Sequence, residues 1–118
     1  MALIMTGIGD KGDLKNERVG FRVVSDCDLK NFIVFRTTFN DAGFYNKSNA
    51  AYWFAPEIVK MGDRVVICTT SGQDSFQANE DGSKTYFRYW GLDTPIFIDQ
   101  KNGVVLANVT NWSTSTAL

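Results

Sequence analysis

Apolar and polar positions alternate with a period of two along most of this chain, the spacing of half-buried β-strands. Val19, Phe21 and Val23 interleave with Arg18, Gly20 and Arg22, and Asp26-Cys27-Asp28 marks a turn out of that strand. A second strand is expected over Asn31–Thr38, with Ile33 and Phe35 on one face and Arg36 on the other. The segment Asn40–Asn49, rich in Asn, Asp, Gly and Ser, has loop composition. Ala51-Tyr52-Trp53-Phe54 resumes extended chain, and Pro56 limits it to an edge or a strand end, because proline donates nothing to a ladder. After a turn at Met61-Gly62-Asp63, the run Arg64–Thr70 is apolar on both faces, as in a central strand. A polar hairpin joins Gln73–Asn79 to Lys84–Trp90 around Asp81-Gly82. A second hairpin is expected from Pro95–Ile98 to Val104–Leu106 through Lys101-Asn102-Gly103, since Asn-Gly tolerates positive φ at both central residues.

The pattern predicts an all-β domain of about eight short antiparallel strands at spacings of roughly ten residues, a sandwich or a barrel, with no helical stretch. The domain runs over residues 18–112, after an N-terminal arm (1–17) and before a loose, Ser/Thr-rich tail (113–118). Phe21, Ile33, Phe35, Trp53, Val65, Ile67 and Phe87 are expected in the core. In the arm, Gly7, Gly9 and Gly12 break regular structure while Leu3, Ile4, Met5 and Ile8 form an apolar cluster. Two fates are open to it: a frayed terminus, or a segment that docks on a neighbouring chain.

With 118 residues, the chain is long enough for one core without staples, and 44% hydrophobic content is that of a packed protein. A net charge of −1 and scattered Lys and Arg argue against nucleic-acid binding through phosphates. The apolar start lacks a basic leader, and no stretch approaches the roughly 18 apolar residues of a membrane span, so a cytosolic or processed protein is expected, with no membrane partner. On the same grounds Cys27 and Cys68 are expected as unlinked thiols, the alternative being one inter-sheet disulfide. The sequons at Asn46, Asn108 and Asn111 are expected in surface loops and turns.

Three segments carry a family resemblance. They are Asp28-Leu29-Lys30-Asn31-Phe32-Ile33-Val34-Phe35, the run from Trp53 to Ile67 through Met61-Gly62-Asp63, and Tyr89-Trp90-Gly91-Leu92 followed by Asn102-Gly103. Together they resemble lamin-tail-type domains over Asn31–Trp112, about two-thirds of the chain. The resemblance implies an immunoglobulin-like β-sandwich with a binding or scaffolding role, and no catalytic residues to carry over.

The chemistry is sparse. There is no histidine, so Ser–His and Cys–His nucleophiles and nearly all zinc sites are absent. Asp26 with Asp28, and Asp10 with Asp13, are close carboxylate pairs without the full loop of a calcium site, and are better read as solvated turns. Gly7-Ile8-Gly9 lacks the strand and helix of a phosphate loop, and Ser71 and Ser75 have no base to activate them. Tyr45, Tyr52, Tyr86 and Trp112 could form a sugar-stacking platform, although aromatics in a small sandwich are more often core. Tyr86 and Arg88, expected opposite Phe87 and Tyr89, are residue types favoured at interfaces.

The expected function is a non-enzymatic assembly module without cofactors or metal. Its expected interface is Leu3, Ile4, Met5, Ile8, Tyr86 and Arg88, and its partners are proteins: itself or the subunits of a larger particle. A phage capsid decoration or cement protein, assembled in the host cytoplasm into the virion, is the foremost setting. The rival is a bacterial binding module for carbohydrate or cell-wall polymer, at the cell surface or in the cytoplasm; an enzyme using carboxylates alone comes third.

Overall fold

The computed structural model describes residues 1–46, 48 and 50–117, so part of the Asn40–Asn49 loop (Lys47 and Asn49) and the last residue of the tail, Leu118, lie outside the described residues. Strands make up 47% of the structure and helix 3%, the latter a single 3₁₀ turn, Leu29–Asn31. The strands are β1 (Leu3–Gly9), β2 (Arg18–Val23), β3 (Cys27–Asp28), β4 (Phe32–Asn40), β5 (Gly43–Phe44), β6 (Ala50–Trp53), β7 (Ile58–Val59), β8 (Arg64–Cys68), β9 (Ser75–Ala78), β10 (Lys84–Tyr89) and β11 (Asn102–Asn108). A five-stranded sheet has the order β1-β2-β8-β10-β9. A smaller sheet is built on β4, flanked by β11 on one side and by β6 and β5 on the other, and β3 pairs with β7.

Both larger sheets contribute to one core, which gives the molecule a sandwich-like layering. Leu3, Val19, Phe21, Val23, Val65, Ile67 and Tyr86 come from the first sheet, and Phe32, Val34 and Val104 from the second. Leu29, Phe54, Val59 and Phe97 fill the core from connections and the short β7. Phe54 meets Phe21 and Tyr52 edge-on, with ring centroids 6.0 and 5.1 Å apart. The expected central strand is β8, third of five, and the β9–β10 hairpin forms as expected.

Several expectations are corrected. There are more strands than about eight, because the chain adds two-residue strands, and they are not all antiparallel: β10 runs parallel to β8 from Thr85↔Arg64 to Tyr89↔Cys68. Residues 3–9 are not an arm but an edge strand, paired with β2 from Leu3↔Val23 to Gly9↔Arg18. Leu3 is fully buried in the core. The glycines do not break this strand; they allow a bulge between Met5 and Gly7, where Gly7 has φ 147°. Opposite the bulge, a Cβ on Gly20 would stand 2.7 Å from the Thr6 hydroxyl, so a larger residue there would have to displace that side chain.

The second hairpin does not form. Asn102-Gly103 lies inside β11, whose partner is β4, and residues 95–98 hold no strand. Phe97 instead plugs the core, held there by Glu17. The Glu17 carboxylate is buried and accepts four hydrogen bonds: from the N–H groups of Gly12 (2.8 Å), Ile96 (2.9 Å) and Phe97 (3.1 Å), and from the Thr69 hydroxyl (2.7 Å). Residue 17 is therefore part of the domain, and it fastens two distant segments and the nearby Gly12 turn to the start of β2.

Candidate interaction surface

The alternation along β4 decides what the protein shows to solvent. Phe32 and Val34 point into the core, which turns Ile33 and Phe35 outward, the reverse of the expected assignment. Both pairs are apolar, so a period of two cannot choose between them. Register then sets the neighbours. Ile33 lies between Ala107 of β11 and Trp53 of β6, and Phe35 between Val105 and Ala51. These two cross-strand rows carry no charged residue.

Trp53, expected in the core, is 43% exposed on this face, and its indole N–H donates to the Lys30 carbonyl at 2.7 Å. Trp112 meets it edge-on, with ring centroids 4.9 Å apart, so the end of the chain adds a second indole to the face. At the other end, Phe44 and Tyr45 stand 55% exposed beside Phe35 and Val105, around a hollow of about 410 Å³. The Tyr45 segment is held in place by its own N–H on the Thr38 carbonyl and by the Thr37 hydroxyl, which donates to the Tyr45 carbonyl. Large exposed apolar surface of this kind is uncommon on a monomer and marks interaction sites.

The expected interface residues do not gather here. Leu3 is in the core, Ile4 is half-buried, and Met5 and Ile8 are exposed at the β1 edge. Tyr86 and Arg88 do share a face, but it is the inner one, and each is 6% exposed; Phe87, expected in the core, is half-buried on the opposite face. Arg88 is tolerated inside because its charge is answered. Its guanidinium bonds Glu57 at 3.0 Å, lies 3.8 Å from Asp74, donates to the carbonyls of Ser75 and Phe87, and sits over the Tyr86 ring. The four aromatics of the supposed sugar platform also separate: Tyr52 and Tyr86 face inward, leaving Tyr45 and Trp112 exposed.

Among the described residues no group of three acidic or cysteine side chains is placed to hold a metal ion. A polar cavity of about 440 Å³ near the β9–β10 turn contains Asp63 and Asp81, and both carboxylates are engaged with the backbone. Asp63 accepts from the N–H groups of Lys60 and Lys84, and Asp81 from that of Ser83. Asp26 and Asp28, one of the two close carboxylate pairs of the sequence, likewise accept N–H groups, Asp26 from Met61 and Asp28 from Lys30 and Glu57. Cys27 and Cys68 are unlinked, and burial pushes both thiols above the ordinary cysteine range, away from the reactive thiolate.

With this geometry in hand, comparison adds no relative: no family model, no curated protein and no solved structure matches the chain. Among the described residues no helix is long and apolar enough to cross a membrane.

Proposed function

We propose that this protein is a non-enzymatic assembly module that binds another protein through the outer face of its smaller sheet. The observation that carries the reading is the pair of uncharged rows centred on Ile33 and Phe35, flanked by the exposed Trp53, Trp112, Phe44 and Tyr45. Aromatic residues at the centre of a patch supply most of the energy of protein–protein contacts. The acidic side chains that might have served catalysis are engaged in holding turns and segments together, which supports a binding role over a carboxylate enzyme. The immunoglobulin-like, lamin-tail-type resemblance belongs to the same proposal, as does the setting: the surface of a larger particle, of which a phage virion is the foremost case.

Co-sedimentation tests it. Lysate from the producing cells is fractionated by size, and the protein is followed with and without the substitution Phe35→Asp. The wild-type chain is expected in fractions of particle size, and the folded variant among small species. A wild-type chain found solely among small species contradicts the reading. The carbohydrate alternative keeps one observation, the Trp53–Trp112 pair. Glycan binding lost on Trp112→Ala, with no particle association, would favour that alternative.

A further inference from the structure

Among the described residues, the edges of the two larger sheets are β1, β9, β6, the two-residue β5 and β11, and all but β11 are short or interrupted. β1 carries the bulge at Thr6, β9 is four residues long, and β6 is four residues long and soon followed by Pro56. Such devices keep sheets from pairing edge to edge. β11 has none of them. It runs seven residues in unbroken register with β4, from Asn102↔Thr38 to Asn108↔Phe32, with no proline and no charged side chain.

The direction of its backbone groups follows from the ladder. Phe39 N–H donates to Lys101 C=O and Val109 N–H to Asn31 C=O, each at 2.7 Å, so the hydrogen-bonded pairs fall on the odd-numbered residues of β11. Antiparallel alternation then turns the N–H and C=O groups of Val104, Leu106 and Asn108 away from β4. None of these six groups has a partner among the described residues. Beside this edge, Met5 and Ile8 of β1, 40% and 37% exposed, line a seam of about 420 Å³ with Val19, Phe39 and Val104.

We propose that β11 pairs with the β11 of a second copy, antiparallel across a twofold axis at Leu106. The pairs are Val104 with the second copy's Asn108, Leu106 with its counterpart, and Asn108 with the second copy's Val104. Each exchanges two hydrogen bonds, six in all, and the outward groups of both strands are satisfied together. A second copy is the occupant because a strand that pairs with itself must place each residue type near its own kind, and like charges opposite one another are destabilising. Residues 102–108 carry no charge, so self-pairing meets no repulsion along the strand. The same axis lays residues 108–110 of each copy beside the other's seam, next to Met5 and Ile8. The outer face around Phe35 stays open on the dimer, so this inference goes beyond the assembly reading, and different variants test the two.

Sedimentation velocity at micromolar and millimolar concentrations, with circular dichroism and thermal melting of every variant, reads the outcome. The wild type is expected to dimerise. Leu106 also packs against the core, so Leu106→Lys and Leu106→Glu, each placing two like charges at the axis, are expected to be less stable but folded monomers, and their equimolar mixture to dimerise again. Asn108→Pro, at an exposed position, removes an outward N–H without touching the β4 ladder; it is expected to weaken the dimer about tenfold or more by deleting two of the six bonds. A wild type that is monomeric throughout overturns the proposal. So do folded charge variants that remain dimers, a mixture of them that stays monomeric, or a dimer affinity that Asn108→Pro leaves unchanged. If the Leu106 variants fail to fold, the Asn108→Pro affinity decides.

Discussion

The two faces of β4 have similar composition and opposite fates. Phe32 and Val34 on the inner face are at most 1% exposed, while Ile33 and Phe35 on the outer face are half-buried, with no second sheet packed over them among the described residues. Hydrophobic content therefore does not by itself define the core; what decides is which face the second sheet covers. A strand that serves only stability would carry polar residues on its solvent side. This one stays apolar there across three neighbouring strands, and we read the difference as the mark of a surface kept for a partner.

Substitutions sharpen the contrast. Phe32→Ala should cost about 3–5 kcal/mol in chemical denaturation, because it leaves a cavity between the sheets. Phe35→Ala should cost less than half as much, because the outer face has strand neighbours but no second sheet packed against it among the described residues. Equal losses at the two positions would erase the distinction between the faces.

Glu17 offers the next test, since it fixes the inner face from the side. In Glu17→Gln the amide turns an NH₂ group toward backbone donors that the carboxylate had satisfied. A loss of about 2–3 kcal/mol is expected, at roughly 1–3 kcal/mol for each buried donor left without a partner. The outer face should be unaffected, so the intrinsic fluorescence of the Trp53–Trp112 pair in the folded variant should match the wild type. A loss under about 0.5 kcal/mol would mean that the segment carrying Phe97 docks without this carboxylate.

Acid probes the same group. Burial works to raise the Glu17 pKa, but the hydrogen bonds from Ile96, Gly12, Thr69 and Phe97 outweigh it, and the carboxyl is held below its ordinary value of 4.5. A group whose pKa is lower folded than unfolded contributes its stability above the unfolded value, and loses it as pH falls through the folded one. Unfolding free energy should therefore decline below about pH 4.5, and less steeply in Glu17→Gln. Part of the slope should remain, because Asp26 and Asp81 are held low as well, by the Met61 N–H and by the Ser83 side chain. Identical slopes in the two proteins would remove Glu17 from the acid response. The smallest effect should be Trp53→Phe, which keeps an aromatic ring and loses one hydrogen bond, at about 1 kcal/mol or less.

Local patterns in the sequence revealed what local chemistry controls. The alternation of β2, the two-faced apolar run of β8 and the β9–β10 turn at Asp81-Gly82 each depend on neighbouring residues, and each is present in the fold. Features set by distant partners were not legible. The Glu17 carboxylate meets Thr69 and residues 96–97, and nothing near Glu17 in the chain announces this. Drawing Phe97 into the core is also what keeps residues 95–98 from becoming the first strand of the expected hairpin. Gly7 and Gly9 looked like breakers because a bulge and a break have the same composition. Arg88 looked like a surface residue because the carboxylates that answer it, Glu57 and Asp74, lie on other segments. The outer face was hidden for a simpler reason: with Phe32, Ile33, Val34 and Phe35 all apolar, either pair could have been the buried one.

The central claim is that the Phe35 face is for binding and not for folding, and Phe35→Asp tests it most directly. Thermal melting and particle co-sedimentation are measured on the same preparation of wild type and variant. The account predicts a cooperative transition within a few degrees of the wild type, together with loss of the protein from particle-sized fractions. A variant that does not fold would make Phe35 a core residue, and a folded variant that still sediments with the particle would place the binding surface elsewhere.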